Sequence, residues 1–169
     1  SVTETLGRLA AQSTGVESML YGMEVKGRQH GRYFVPDRNA VYAAQTLTQE
    51  LYPQFINTLR ELAGGALIML PSSASDFENP KLAEVIRSVQ VSADGRSDIE
   101  RVKLLKLAWD AVGSEFAGRH TQYEMFYAGA QFVTRGHAFR TYNWDQAKSL
   151  VTNITDRYDL EDSLRGRVN

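Results

Sequence analysis

Cysteine is absent from the 169-residue chain, which excludes disulfides, thiol nucleophiles and thiolate-bound metals within it. That usage fits a reducing compartment. Histidine is scarce, with only His30, His120 and His137. No His-x-x-x-His, Glu-x-x-His or clustered acidic pattern stands at metal-ligand spacing, and no Gly-x-Ser-x-Gly elbow presents a nucleophile. Charge of one sign is missing as well: 19 basic and 20 acidic residues leave a formal net charge of -1, unlike the basic field of a nucleic-acid binder. The longest apolar run, Leu62 to Leu70, falls short of the roughly 20 residues that span a bilayer. No basic-then-apolar leader opens the chain, so a cytoplasmic location is expected. The first residue is Ser and helical periodicity begins at once, as though in mid-helix, so the chain reads as a piece of a longer protein.

What is present is 43% hydrophobic and 23% charged, the composition of one globular domain with an ordinary core. Apolar residues at three- and four-residue steps predict a helix from Ser1 to about Met23 and another from Val41 to Leu62, ended by Gly64 and Gly65. Pro53 lies inside the second and should bend or split it. Between them, Gly27 to Asp37 reads as a connector that pins Tyr33, Phe34 and Val35 onto the core. Pro71 to Pro80 reads as a polar loop. Asn79 followed by Pro80 starts a short helix with Leu82, Val85, Ile86 and Val89 on one face. Ser97 and Glu100 form a capping box for a longer helix carrying Val102, Leu105, Trp109, Val112 and Phe116. Asn143 caps a helix from Trp144 to about Ile154. No strand pattern and no repeat is found, so four or five helices in an all-α bundle are expected.

The long helix runs into GSEFAGRHTQYEMFYAG, residues 113 to 129. Gly113 and Gly118 each cost about 1 kcal/mol against Ala in a helix interior. Close approach of a second backbone or a flat ligand would offset that cost. Ser114, Arg119, His120, Thr121 and Gln122 bring donors suited to a phosphate, ribose or carbonyl group. Spacing alone equally allows a tight helix crossing with a solvated polar face. Tyr123, Phe126 and Tyr127 share one face, as core or interface aromatics do.

RYFVPDRNAVYAAQTLTQELYPQFINTLRELAGGALIMLPSS, the DFENP and VSADG loops and KLAWDAVGSEFAGRHTQYEMFYAG together resemble the C-terminal helical domain of the 4-hydroxyphenylacetate 3-monooxygenase oxygenase component family. AGGALIMLPSS and WDAVGSEFAGRH carry the resemblance most specifically. It implies a four-helix bundle resembling the acyl-CoA dehydrogenase C-terminal domain over residues 1–155, with a charged tail over 156–169. It also implies the oxygenase component of a two-component monooxygenase, which uses reduced FAD and oxygen to hydroxylate a phenol ortho to its hydroxyl. Such chemistry needs an enclosed, dry site. The implied partners are a separate NAD(P)H-dependent flavin reductase, a phenolic substrate such as 4-hydroxyphenylacetate, and further copies of the chain as a homodimer or homotetramer.

The family's substrate-binding residues belong to upstream domains whose motifs are not in this chain, so no catalytic residue is carried over. The family's flavin-contacting stretch matches Gly113 to Arg119. Ser114, Phe116, Gly118 and Arg119 are the expected cofactor-binding residues, with Glu115 and His120 beside them and Pro71, Ser72 and Ser73 as a further approach. Two other functions stand against this: a flavin and iron-sulfur CoA-ester dehydratase of the same fold, and a free-standing helical oligomerisation module.

Overall fold

The computed structural model describes residues Ser1 to Tyr158. Seven α-helices and one short hairpin make up the described residues, in the order α1 (Val2–Val25), β1 (Arg28–His30), β2 (Tyr33–Val35), α2 (Arg38–Ala63), α3 (Pro80–Val89), α4 (Asp98–Val112), α5 (Glu115–Phe126), α6 (Gln131–Thr141) and α7 (Trp144–Thr155). The architecture is all-α, as expected, although the helix count exceeds it. Single-turn 3₁₀ helices occupy Gly64–Leu67 and Ala74–Phe77.

Local capping sets most helix starts. Ser97 Oγ accepts from the Glu100 N–H at 3.3 Å, and Glu100 Oε2 accepts from the Ser97 N–H at 2.9 Å, which is the capping box read from sequence. The Ser97 N–H and Oγ–H both donate to the Glu100 carboxylate, at 2.9 Å each, and hold it below its ordinary value. Asn79 and Asn143 cap α3 and α7 through their Oδ1 atoms, which accept from the N–H groups of Lys81 and Leu82 and of Gln146. Ser1 caps α1, with Glu4 completing a capping box. Gly64 ends α2 with φ of 54°, a conformation that costs other residues more.

Helix α2 is the centre, packed by α1, α4, α5 and α6. Pro53 does not split it: the helix runs unbroken through that position. Packing by several neighbours offsets the one backbone donor that proline lacks. The main core cluster is Ile56, Leu67 and Val112, with Tyr52, Leu59 and Leu105 against it. The most buried side chain of α2 is polar: Gln49 is 0% exposed. Its Nε2 donates to the carbonyls of Met125 and Gly129 at 2.9 and 2.8 Å, and its Oε1 accepts from Thr134 Oγ1 at 2.9 Å. Gln49 thus ties α2 to the turn between α5 and α6.

Three expectations are corrected. Residues 28–35 form an antiparallel hairpin with Arg28 opposite Val35. Its three-residue strands are too short to show an alternating pattern. Tyr33 and Phe34 do not enter the core, being 60% and 55% exposed. Phe34 instead lies over Gly27, where a Cβ would collide with its ring. Finally, α6 was not anticipated, because its start at Ala130 has no side-chain cap. The part of the charged tail after Tyr158 lies outside the described residues.

Candidate functional site

The helix expected to run from the Ser97–Glu100 box through Phe116 breaks at Gly113, and α5 starts anew from Ser114. Gly113 is therefore no helix-interior glycine. A Cβ there would sit 2.5 Å from the Trp109 ring, so the glycine makes room for a side chain of its own helix. The amides of Gly113 and Ser114 both donate to the Trp109 carbonyl, at 2.7 and 3.0 Å. Arg60, reaching from the far end of α2, donates through Nε and Nη2 to the Val112 carbonyl at 3.0 and 2.5 Å. A cation at a helix C-terminus is electrostatically favoured, so Arg60 both caps α4 and fixes this elbow.

Ser114 is the N-cap of α5. Its Oγ accepts from the Ala117 N–H at 3.0 Å and donates its single hydrogen to the Asp110 carbonyl at 3.0 Å. That leaves the N–H groups of Glu115 and Phe116 without an acceptor among the described residues. Such free amides at the positive end of a helix suit an anionic or carbonyl oxygen. Arg119 pairs with Glu115 at 3.4 Å on an open surface where both are more than three-quarters exposed. A pair of this kind contributes little stability and leaves the guanidinium free to change partner.

An aromatic face runs along α5. The rings of Phe116 and His120 are stacked at 5.9 Å with 9° between planes, and His120 and Tyr123 follow at 6.4 Å and 18°. Tyr52 of α2 meets His120 edge-on at 5.6 Å. His120 Nε2 lies 3.5 Å from a Glu124 carboxylate oxygen. Burial, and then the Glu124 charge, push the Tyr52 phenol above its ordinary value. Phe116 is 73% exposed, so its ring offers a flat surface at the elbow. The expected core option for Tyr123, Phe126 and Tyr127 does not hold, since each is about half exposed or more; α5 buries Ala117 instead.

The elbow thus brings Ser114, Phe116 and Arg119 together with Glu115 and His120. Gly118 points elsewhere, roughly 160° from Phe116 around a helix that turns about 100° per residue. A Cβ on Gly118 would meet nothing within 4 Å, so no backbone among the described residues explains that glycine. Pro71 and Ser73 line a separate cavity of about 490 Å³ beside α4 that reaches Asp110, the residue whose carbonyl receives the Ser114 hydrogen. Lys106 donates to the Ser72 carbonyl at 3.3 Å and fixes that loop. Sequence reasoning missed Arg60 and Tyr52, both distant in the chain. The four-residue step from Trp109 to Gly113 was the one local sign of the elbow.

Comparison with known proteins now bears on this geometry. Residues 1–156 match the family described as 4-hydroxyphenylacetate 3-hydroxylase C terminal. The 4-hydroxyphenylacetate 3-monooxygenase oxygenase component of Pseudomonas aeruginosa is 40% identical over 111 residues, which is 66% of this chain and 21% of that protein. The crystal structure of such an oxygenase component, complexed with FAD and 4-hydroxyphenylacetate, superposes with a TM-score of 0.83 at 27% identity, over 97% of this chain and 33% of the other. An archaeal 4-hydroxybutyryl-CoA dehydratase from N. maritimus shares the fold, with a TM-score of 0.81 at 15% identity over 94% of this chain and 32% of the other. The chain therefore spans about a fifth of the first relative's length.

Proposed function

The chain belongs to the 4-hydroxyphenylacetate 3-hydroxylase C-terminal family, and from that premise we propose that it is the flavin-contacting and oligomerising domain of a monooxygenase oxygenase component. The whole enzyme hydroxylates a phenol, 4-hydroxyphenylacetate or a relative, ortho to its hydroxyl. Reduced FAD comes from a separate NAD(P)H-dependent reductase, and when bound it supplies the oxygen-activating chemistry. Residues 1–155 act as the bundle and 156–169 as an appended charged tail. Among the described residues no helix is long and apolar enough to cross a membrane, which accords with a cytoplasmic enzyme.

One observation carries the reading: an elbow with two free amides beside an exposed aromatic face. These residues fit a flavin. The N–H groups of Glu115 and Phe116 bind its polar oxygens, Phe116 covers part of the ring system, and Arg119 exchanges Glu115 for a flavin oxygen or phosphate. Gly118 lies on the other side of α5 from Phe116, and its missing Cβ leaves room there for a part of the cofactor beyond the ring system that Phe116 covers. Ser114 acts through its cap, which holds the two amides outward, since its own hydrogen is committed to Asp110. The walls so formed exclude water from the reacting centre. The reacting groups themselves stand on the upstream domains.

In the complete oxygenase, Ser114→Ala combined with Arg119→Ala is expected to raise the Kd for FAD at least tenfold, equivalent to about 1.4 kcal/mol. Fluorescence titration of the flavin reads this directly. An unchanged Kd in the folded variant would remove the elbow from the flavin site.

A further inference from the structure

The opposite end of α2 holds a second cavity, of about 630 Å³, between the hairpin, the start of α2 and the last turn of α6. Lys26, Arg28, Arg38 and Arg140 line it against one carboxylate, Asp37. That carboxylate is engaged, because its Oδ1 accepts from the Ala40 N–H at 3.0 Å as the N-cap of α2. None of the four cations forms an ion pair among the described residues. In a chain whose charges otherwise nearly cancel, this pocket concentrates a surplus of positive charge.

Helix ends explain two of these cations and not the others. Lys26 follows the C-terminus of α1 and Arg140 stands in the last turn of α6, where the helix dipole favours them. Arg38 is the first residue of the 26-residue helix α2, whose first turn holds no acidic residue. Positive charge there opposes the dipole and destabilises the helix start. Arg28 stands on a hairpin strand, where no helix end favours it. The amides of Arg38 and Asn39 also lack acceptors among the described residues. An anion in the cavity would lie beside the four cations and the open end of α2.

Arg140 is held for such a role. Its Nη2 hydrogen-bonds His137 Nδ1 at 3.0 Å, and the His137 ring is stacked on Tyr42 at 4.8 Å with 12° between planes. Its Nη1 lies 3.3 Å from where a Gly136 Cβ would stand, so a side chain at that position would crowd it. Nor is this the elbow under another description. Arg38 opens α2 and Arg60, near its other end, caps the elbow, roughly 33 Å away at about 1.5 Å per residue.

We propose that this cavity binds a diphosphate group, either free or carried by a nucleotide. Three guanidinium forks and an ammonium match its clustered oxygens, and the free amides of α2 add donors at the helix's positive end. The inference does not depend on the function of the elbow.

Calorimetric titration of the 169-residue chain with inorganic pyrophosphate, ADP and citrate tests it. Pyrophosphate and ADP should both bind, more weakly as salt rises from about 50 to about 200 mM, as charge neutralisation requires. Tighter binding of ADP assigns a nucleotide, and equal binding assigns the diphosphate alone. Arg28→Gln with Arg140→Gln should weaken both at least tenfold, while circular dichroism confirms the helices are retained. Failure of pyrophosphate and ADP to bind at low salt would overturn the proposal, as would a folded double variant that binds them equally well. Citrate binding as tightly as pyrophosphate would also overturn it, marking the pocket as a general partner for carboxylates.

Discussion

The two glycines flanking the elbow look alike in sequence and differ in their surroundings. Gly113 is needed because Trp109 lies where its Cβ would be. Gly113→Ala should therefore cost about 1–3 kcal/mol, the usual range for overpacking, as measured by urea denaturation. Gly118 sits inside α5 with open space around it. Gly118→Ala should leave the fold unharmed or stabilise it by up to about 1 kcal/mol, from helix propensity alone. In the complete oxygenase the same change should weaken FAD binding, so stability and affinity move in opposite directions. A purely structural role for Gly118 gives no loss of affinity. Gln49 is a third single residue with a large role. Gln49→Leu removes the donor to two carbonyls and the acceptor for Thr134, and stranding buried polar groups should cost about 3 kcal/mol in the same denaturation experiment.

Between elements, the hold that matters most to the site is the one from α2 onto the end of α4. Arg60 makes two hydrogen bonds to a single carbonyl across 52 positions of sequence. Arg60→Met keeps the apolar stem and deletes the charge, so the elbow should loosen while the core around Ile56 and Val112 persists. The expected result is a loss of about 1.5–3 kcal/mol of stability, the range for hydrogen bonds to charged groups. FAD affinity of the complete oxygenase should fall with it. Arg60→Lys should recover only part of each, since an ammonium cannot place two donors in a fixed fork. Gln90 makes a similar but distinct link: its Nε2 donates to the Met69 carbonyl at 2.9 Å and its Oε1 accepts from Arg101 at 3.3 Å. It joins the end of α3 to α4 and to the segment after Gly65.

At the scale of the whole molecule, much apolar surface has no cover among the described residues. Leu107, Phe116, Phe132 and Phe139 are each more than 60% exposed, and Leu47 of α2's expected apolar stripe is 44% exposed. Large apolar side chains left uncovered on several helices are what interaction surfaces present. The chain spans only about a fifth of one relative and a third of one structure, so further domains and further copies are the proposed cover. The isolated chain should lack hydroxylase activity and self-associate, giving a mass above the 18.9 kDa monomer by light scattering. A monodisperse monomer would argue that upstream domains alone cover these faces.

The sequence by itself determined the helical class and the ends set by local chemistry. Ser97 with Glu100, Asn79 before Pro80, Asn143 and Gly64 act within a few residues of themselves, so their effect is readable from spacing. Residues 113–129 were legible as a special segment, and the family resemblance pointed to Ser114, Phe116, Gly118 and Arg119. Only the tertiary structure decided that α4 ends at Gly113, with Arg60 closing it, and that Ser114 caps a new helix. It also turned Gly118 away from Phe116 and gathered Lys26, Arg28, Arg38 and Arg140 around one cavity. The physical reason is range: capping acts through neighbouring backbone, whereas Arg60, Gln49 and the basic pocket join residues that only packing brings within reach.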